Sequence, residues 1–412
     1  MANNLYNAPF DMPIINEPTF PNRTFYASEG CSIQATINQC ISAGGGTIVV
    51  PAGEWATGPL HLSDNTHLHF EDGAILIFSS NPDDYLPVVF TRWEGMECYN
   101  YSPLIYANNC KKIAVTGNGK LLGSGSDWWH WKQLQQEAAN ELCYAEYNKI
   151  PVKERVYGTK EAALRPSFLQ FINCSEILID GITLVDGPQW TLHPVYCENM
   201  IIRNVTVRTA GHNTDGLNPD SCKNVLIENC DFSTGDDCIA INSGMNEDGW
   251  RVNRPCENIL IRNCVMSGGH GAVVIGSAMS GGVRNIYAHN CYIKDTMQGI
   301  RLKSMRGRGG FVENVTFENF EINNVSNESI QINMFYEFST VVPKSNAASS
   351  FKNITIRNIN GVGADTAIML KGLPEKKLEN ITLEDISLKA DKYLVCTDVD
   401  GLSIKNVELT SL

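Results

Sequence analysis

Four short motifs hold residue types from which a reactive site could be built. They are His212-Asn213-Thr214-Asp215-Gly216, Gly235-Asp236-Asp237-Cys238, Gly268-Gly269-His270-Gly271 and Gly299-Ile300-Arg301-Leu302-Lys303. Carboxylates brought to one patch are the raw material of acid–base catalysis, and equally of a calcium site. Arg301 and Lys303, at i and i+2, share one face if they lie in a strand. Singly, each motif is ordinary. Asp-Gly is a common turn, Asp-Asp a common solvated loop, and Arg-x-Lys a common exposed strand face. Their recurrence is less ordinary. Asp215 and Asp236 are 21 residues apart, His270 follows Asp237 by 33, and Arg301 comes about one interval later. If one interval is one turn of a repeating coil, acid, acid pair, histidine and paired cations stack into a single stripe. Asp236 and Asp237 would point to opposite sides of a regular strand, so a bend at Gly235 is needed to aim both at one pocket.

The elements that must position this stripe are visible as a repeat. Residues 197–207 read CENMIIRNVTV, 222–232 CKNVLIENCDF and 256–266 CENILIRNCVM. The phrase returns at 283–293, 312–322, 351–361 and 378–388, with degenerate copies at 110–121, 174–184 and 400–409. Its alternating apolar residues mark a strand. The first Asn of each full phrase falls at 199, 224, 258, 285, 314, 353 and 380. Intervals of this size, without any helical pattern, suit a coil of a parallel β-helix better than a βαβ unit. The Asn column has a reason: a tight corner needs a residue that tolerates positive φ, and stacked amides can form a ladder. The expected fold is therefore all-β, a right-handed parallel β-helix of roughly ten coils forming one catalytic domain over 1–412. Residues 1–28 are read as an N-terminal extension. Glu29–Ile41 carries Ile33, Ile37, Cys40 and Ile41 on one helical face and is expected to cap the open end of the coil stack. Residues 127–158 break the strand pattern and are read as a helical insertion beside a cleft. Packing of Trp128, Trp129 and Trp131 onto the body is favoured over contact with sugar.

Composition narrows the function classes. Hydrophobic residues make up 43% of the 412 and charged residues 19%, a globular balance. The net charge of −13 argues against nucleic acid as a partner, and a polyanion would need a locally basic cleft. The apolar runs are too short to span a bilayer, so no membrane partner is expected. No signal peptide is visible at the N-terminus. The expected location is cytoplasmic if that end is native, and periplasmic or secreted if a signal was removed. The fourteen cysteines include Cys197, Cys222 and Cys256 inside the repeats and form no CxxC pair or zinc pattern. They are expected to be reduced packing residues, and neither a metal nor another cofactor is called for.

NTDG, GDDC, GHG and RLK, in that order and at these intervals, resemble the polygalacturonase family of glycoside hydrolases. Leu302 stands where the commonest pattern has Ile. The resemblance implies hydrolysis of α-1,4-galacturonosidic bonds in pectin, polygalacturonate or oligogalacturonides, with inversion. It implies Asp236 as general acid, Asp215 and Asp237 as activators of water, and His270 as the residue that holds the acid's geometry and protonation. It further implies that Asn213, Arg301, Lys303 and Tyr336 bind substrate, the two cations receiving the galacturonate carboxylate. Residues 188–194 and 242–249 are similar to the bacterial branch with many exo-acting members, which favours exo over endo action. Two alternatives stand beside this reading: a lyase that eliminates across the same bond with calcium on the Asp cluster, and a non-catalytic β-helix that binds glycan.

Overall fold

The computed structural model describes residues 6–337, 341–343 and 345–412. Three parallel stacks of strands account for nearly all of them. In the first, the Asn phrases pair coil on coil in one register: Ile177, Met200, Val225, Ile259, Ile286, Val315, Ile354, Ile381 and Leu402 are successive partners. In the second, Leu184, Val207, Phe232, Met266, Ile293 and Ile322 do the same. The third face is made of shorter pairings through Leu169, Leu192, Leu217, Ile239, Val273, Ile300 and Ile330. Each coil contributes once to each face, which is a parallel β-helix. The partners named on all three faces point inward and form one continuous core, except the partly buried Leu402, which packs against it in the last coil. The first stack starts earlier than the phrases indicate. Thr24–Tyr26, Gly46–Val50 and Thr66–Phe70 precede Lys111–Gly117 in it, so the helix runs beyond roughly ten coils. There the corner is held by Gly45, Asn65, Lys112 and Glu176 in turn, all at positive φ, so a single Asn leaves no column to read.

The corner works as the sequence suggests. Asn199, Asn224, Asn258, Asn285, Asn314, Asn353 and Asn380 all have φ between 54° and 58°. Each Nδ2 donates to the Oδ1 of the Asn one coil earlier, at 2.9–3.3 Å from Asn224 through Asn380. A second ladder, five residues on, went unread: Asn263 donates to Asn229, Asn319 to Asn290 and Asn358 to Asn319. Its signal was the second Asn in "IRN" and "IEN" of the same phrase.

The capping helix is Ile33–Ser42 rather than Glu29–Ile41, because the Ser32 side chain accepts from the Ala35 N–H and fixes the N-terminus there. Ile33, Ile37 and Cys40 face the core. The N-terminal segment lies along the outside of the first stack, where Tyr6, Met12 and Ile15 cover the outward row Leu178, Ile201, Leu226 and Leu260. That explains why these strands are apolar on both faces. All fourteen cysteines are unpaired, and Cys197, Cys222 and Cys256 are fully buried.

The insertion forms the helices Trp131–Leu134 and Gln136–Tyr147. Trp128 and Trp131 are buried against each other and against Tyr85 and Tyr101. The Trp129 indole donates to the Gly187 carbonyl at 3.0 Å. All three tryptophans therefore pack the insertion onto the body.

Candidate active site

The stripe is assembled on the third face, one motif per coil. The Thr191 N–H donates to the Asp215 carbonyl at 2.9 Å, Gly216 to Asp237 at 3.0 Å, Cys238 to Gly271 at 2.8 Å, and Gln298 to His270 at 2.7 Å. Arg301 then pairs in register with Val274 on one side and Gln331 on the other. Asn213, Asp215, Asp236, Asp237, His270, Arg301, Lys303 and Tyr336 all line one cleft of about 390 Å³. Every residue singled out from the sequence is thus brought together.

The local backbone shows how. Asp236 and Asp237 lie between the strands Asp231–Thr234 and Ile239–Ile241, off the regular pleat. Thr234 Oγ1 donates to the Asp236 carbonyl at 2.6 Å, and the Asp237 N–H to Asp236 Oδ1 at 2.9 Å, so the chain turns and both carboxyls reach the cleft. Gly269 has φ +65°, and a Cβ there would stand 1.9 Å from the Asp236 carbonyl oxygen. Only glycine lets the His270 coil come this close. Asn213 takes φ 57°, another turn that suits Asn.

The electrostatics divide the carboxyls. Asp215 is buried and accepts from Asn218 Nδ2 at 2.9 Å. Burial, with the charges of Asp236 and Asp237, pushes its carboxyl well above the usual range. Burial also acts to raise Asp236, but the bond to His270 Nδ1 at 2.9 Å, together with Lys303, outweighs it and holds Asp236 low. The same bond raises the His270 imidazole. In the free cleft the protonated form of Asp215 is therefore favoured, and the bond between Asp236 and the half-exposed His270 favours a carboxylate beside an imidazolium. Asp237 is buried between cations, with Lys303 Nζ 2.8 Å from one oxygen and Arg301 Nη1 3.7 Å from the other. The Tyr336 ring centroid lies 5.3 Å from Lys303 Nζ and 5.7 Å from the Arg301 guanidinium carbon.

Other residues shape the site without a sequence signal strong enough to single them out. Arg165 is fully buried, donating to Asn213 Oδ1 at 3.1 Å, the His212 carbonyl at 2.8 Å and Gln135 of the insertion at 3.1 Å. It holds the Asn213 turn in place. Trp190, Glu94, Gln298 and Arg308 line the cleft as well. None of residues 127–158 does so; the insertion stands behind the wall, reaching the site through Arg165 and through Cys143 and Ala138, which pack in one cluster with Met245. Asp236, Asp237 and His270 offer atoms within 4.8 Å of one another, a spacing that a cation could use. Lys303 and Arg301 already supply positive charge to Asp237 from that side.

Comparison with known proteins decides the family. The model of the glycosyl hydrolases family 28 matches residues 40–408. The chain belongs to that family, and it is a glycoside hydrolase. An exopolygalacturonase from Thermotoga maritima is 37% identical, with a TM-score of 0.90 over 96% of this chain and 94% of that one. The family 28 exopolygalacturonase of Yersinia enterocolitica, at 20% identity and a TM-score of 0.76, covers 95% of this chain and 78% of its own and shows the shared fold. A probable polygalacturonase of Vitis vinifera is 29% identical over 376 residues, 88% of this chain and 72% of that protein. This chain spans only 55% and 60% of two Arabidopsis thaliana relatives of the same description.

Proposed function

We propose that this family 28 hydrolase cleaves α-1,4-galacturonosidic bonds of polygalacturonate or its oligomers, one residue at a time from a chain end, with inversion. The observation that carries the reading is the juxtaposition of Arg301 and Lys303 with the Asp215–Asp236–Asp237 cluster in one cleft of a chain with net charge −13. A uronic acid brings its own carboxylate, and a local cationic pair is what an acidic protein needs to receive it. The likeness to the Thermotoga maritima exopolygalacturonase, over nearly the full length of both chains, supports the exo mode.

The chemistry follows from the charges. Arg301 and Lys303 bind the carboxylate of the sugar beside the scissile bond. That contact draws their positive charge away from Asp237 and leaves the carboxyl cluster more negative. Asp236 then gains proton affinity, and the His270 proton, 2.9 Å away, is the one at hand. Asp236 passes it to the leaving oxygen as general acid. Asp215 and Asp237 orient the water on the opposite face and take its proton. Calcium-dependent elimination fits less well, since Asp237, the most central acid, is already ion-paired.

Polygalacturonate digestion followed over time tests the reading. Galacturonate monomer as the product from the outset, first formed with inverted anomeric configuration by NMR, is the expected result. A ladder of oligomers would overturn the exo mode, and a UV-absorbing unsaturated end would overturn hydrolysis.

A further inference from the structure

We propose that Glu94 is the residue that recognises the chain end, accepting a hydrogen bond from the C4 hydroxyl of the terminal sugar and turning away a continuing uronate chain. The inference rests on the exo reading above and assigns its structural cause.

Glu94 sits at the tip of the antiparallel hairpin formed by Val89–Trp93 and Met96–Asn100, and it lines the cleft with Asp236. It takes φ 44°, in the left-handed region that a glutamate seldom enters. The tip is pinned on both sides. The Gly95 carbonyl accepts from Arg92 Nε at 3.1 Å and from the Met245 N–H at 3.1 Å, and Arg92 is itself buried on Asp220 at 2.9 Å. Glu94 Oε1 accepts from Gln189 Nε2 at 3.0 Å, and among the described residues its other oxygen takes no hydrogen bond. A rigid mount thus presents one acceptor oxygen to the cleft.

Its position along the coil axis gives the role. Gln189 and Trp190 precede the Asp215 coil, Asp236 is one coil further, and Arg301 and Lys303 lie two coils beyond that. The hairpin tip itself packs at Gly95 on Met245 and Ala278, while the Glu94 side chain, tied to Gln189, reaches toward the end of the cleft away from the cations. A substrate with its carboxylate on Arg301 and Lys303 and its scissile bond at Asp236 extends toward Glu94 on the other side. A hydroxyl donates to such a carboxylate, whereas every further galacturonate would bring a like charge against it. Burial raises the Glu94 carboxyl above its usual range, and Lys132 of the insertion and Arg165 oppose that rise by charge.

The test uses two trisaccharides: trigalacturonate, and the trimer whose terminal ring is 4,5-unsaturated and lacks the C4 hydroxyl. The wild-type enzyme should favour the saturated trimer by at least ~10-fold in kcat/KM, since a site built around a hydroxyl rejects its absence. Glu94→Ala should bring that ratio close to one, with the loss on the saturated trimer. Glu94→Gln can keep the Gln189 bond, so it serves if the alanine variant fails to fold; its ratio should fall at least several-fold. A wild-type ratio near one overturns the proposal. So does a variant that loses activity equally on both trimers, which would mean Glu94 only supports the wall. If the wild-type enzyme makes oligomers from polygalacturonate, the exo reading itself fails. Monomer production with an unchanged ratio in the variants spares that reading and removes Glu94 from it.

Discussion

The Asn corner and the catalytic stripe use the same scaffold in opposite ways. Both stack one position above another along the coil axis. At the corner every coil contributes the same residue, with the same φ and the same amide bond to its neighbour. In the stripe every coil contributes a different residue: Asp215, then Asp236 and Asp237, then His270, then Arg301 and Lys303. The corner is redundant, so losing one rung leaves the others in place. The stripe has no spare part, and its neighbours are chosen to perturb one another. Asp215 is raised by its burial and by the acids beside it, while Asp236, which burial alone would raise, is lowered by the histidine one coil on. A repeating frame thus supplies both uniform stiffness and a row of addresses that can each be filled differently.

The sharpest way to break the comparison is at the acids. Asp236→Asn is nearly isosteric and should leave Tm close to wild type while lowering kcat by ~10²–10⁴-fold, the usual worth of a general acid. A galacturonide whose leaving group needs no protonation should recover much of that loss. Asp215→Asn and Asp237→Asn should lose as much and recover little, because they act on water. The charges of the free cleft make this more than a formality, since Asp215, not Asp236, is the carboxyl that burial leaves raised. Rescue of Asp215→Asn in place of Asp236→Asn would exchange their roles.

Next in size are the cations. Lys303→Ala and Arg301→Ala should each weaken transition-state binding of a galacturonide by about 2 kcal/mol or more, roughly 30-fold in kcat/KM. Lys303 also neutralises buried Asp237, so its removal should cost some stability where Arg301 removal, at 3.7 Å from the same carboxylate, costs less. Equal cleavage of a neutral glycan by the wild type and both variants would remove uronate recognition from the stripe.

What the sequence made legible follows the same division. The corner was readable because its residue recurs, and the strands because apolar alternation recurs with it. The stripe was readable through four motifs at coil-like intervals, although no single one is diagnostic. The parts that stayed hidden are those that act once. Arg165 is a lone basic residue whose partners, Asn213, His212 and Gln135, are 30 to 48 positions away. Glu94 reaches the cleft only because a hairpin outside the coil pattern folds onto Gln189 and Met245. The early coils keep the same register, but of their corner positions only Asn65 is an Asn, flanked by Gly45, Lys112 and Glu176, so the Asn column could not be followed into them. The proton distribution within the acid cluster could not be read from sequence, because it depends on the hydrogen bond His270 makes and on how deeply Asp215 is buried.

The smallest expected effect lies at the corner, and it separates the two reasons Asn is used there. Asn258 has φ 58°, donates to Asn224 at 2.9 Å and accepts from Asn285 at 3.0 Å. Asn258→Ala removes both bonds and places a Cβ-bearing residue without a compensating amide in the left-handed region, a conformational cost of about 1–2 kcal/mol. Two half-buried amide bonds add roughly 0.5–1.5 kcal/mol each. Asn258→Gly removes the same bonds but takes positive φ freely. The alanine variant should therefore melt below the glycine variant, and both below wild type, with kcat/KM on trigalacturonate unchanged in each. If the two variants melt together, the ladder rather than the turn carries the stability of the corner. If glycine matches wild type, the ladder contributes nothing and only the turn geometry matters. A fall in kcat/KM in either variant, measured well below its Tm, would mean that a displaced rung is felt across the coil at the stripe, and the separation of frame from function drawn above would not hold.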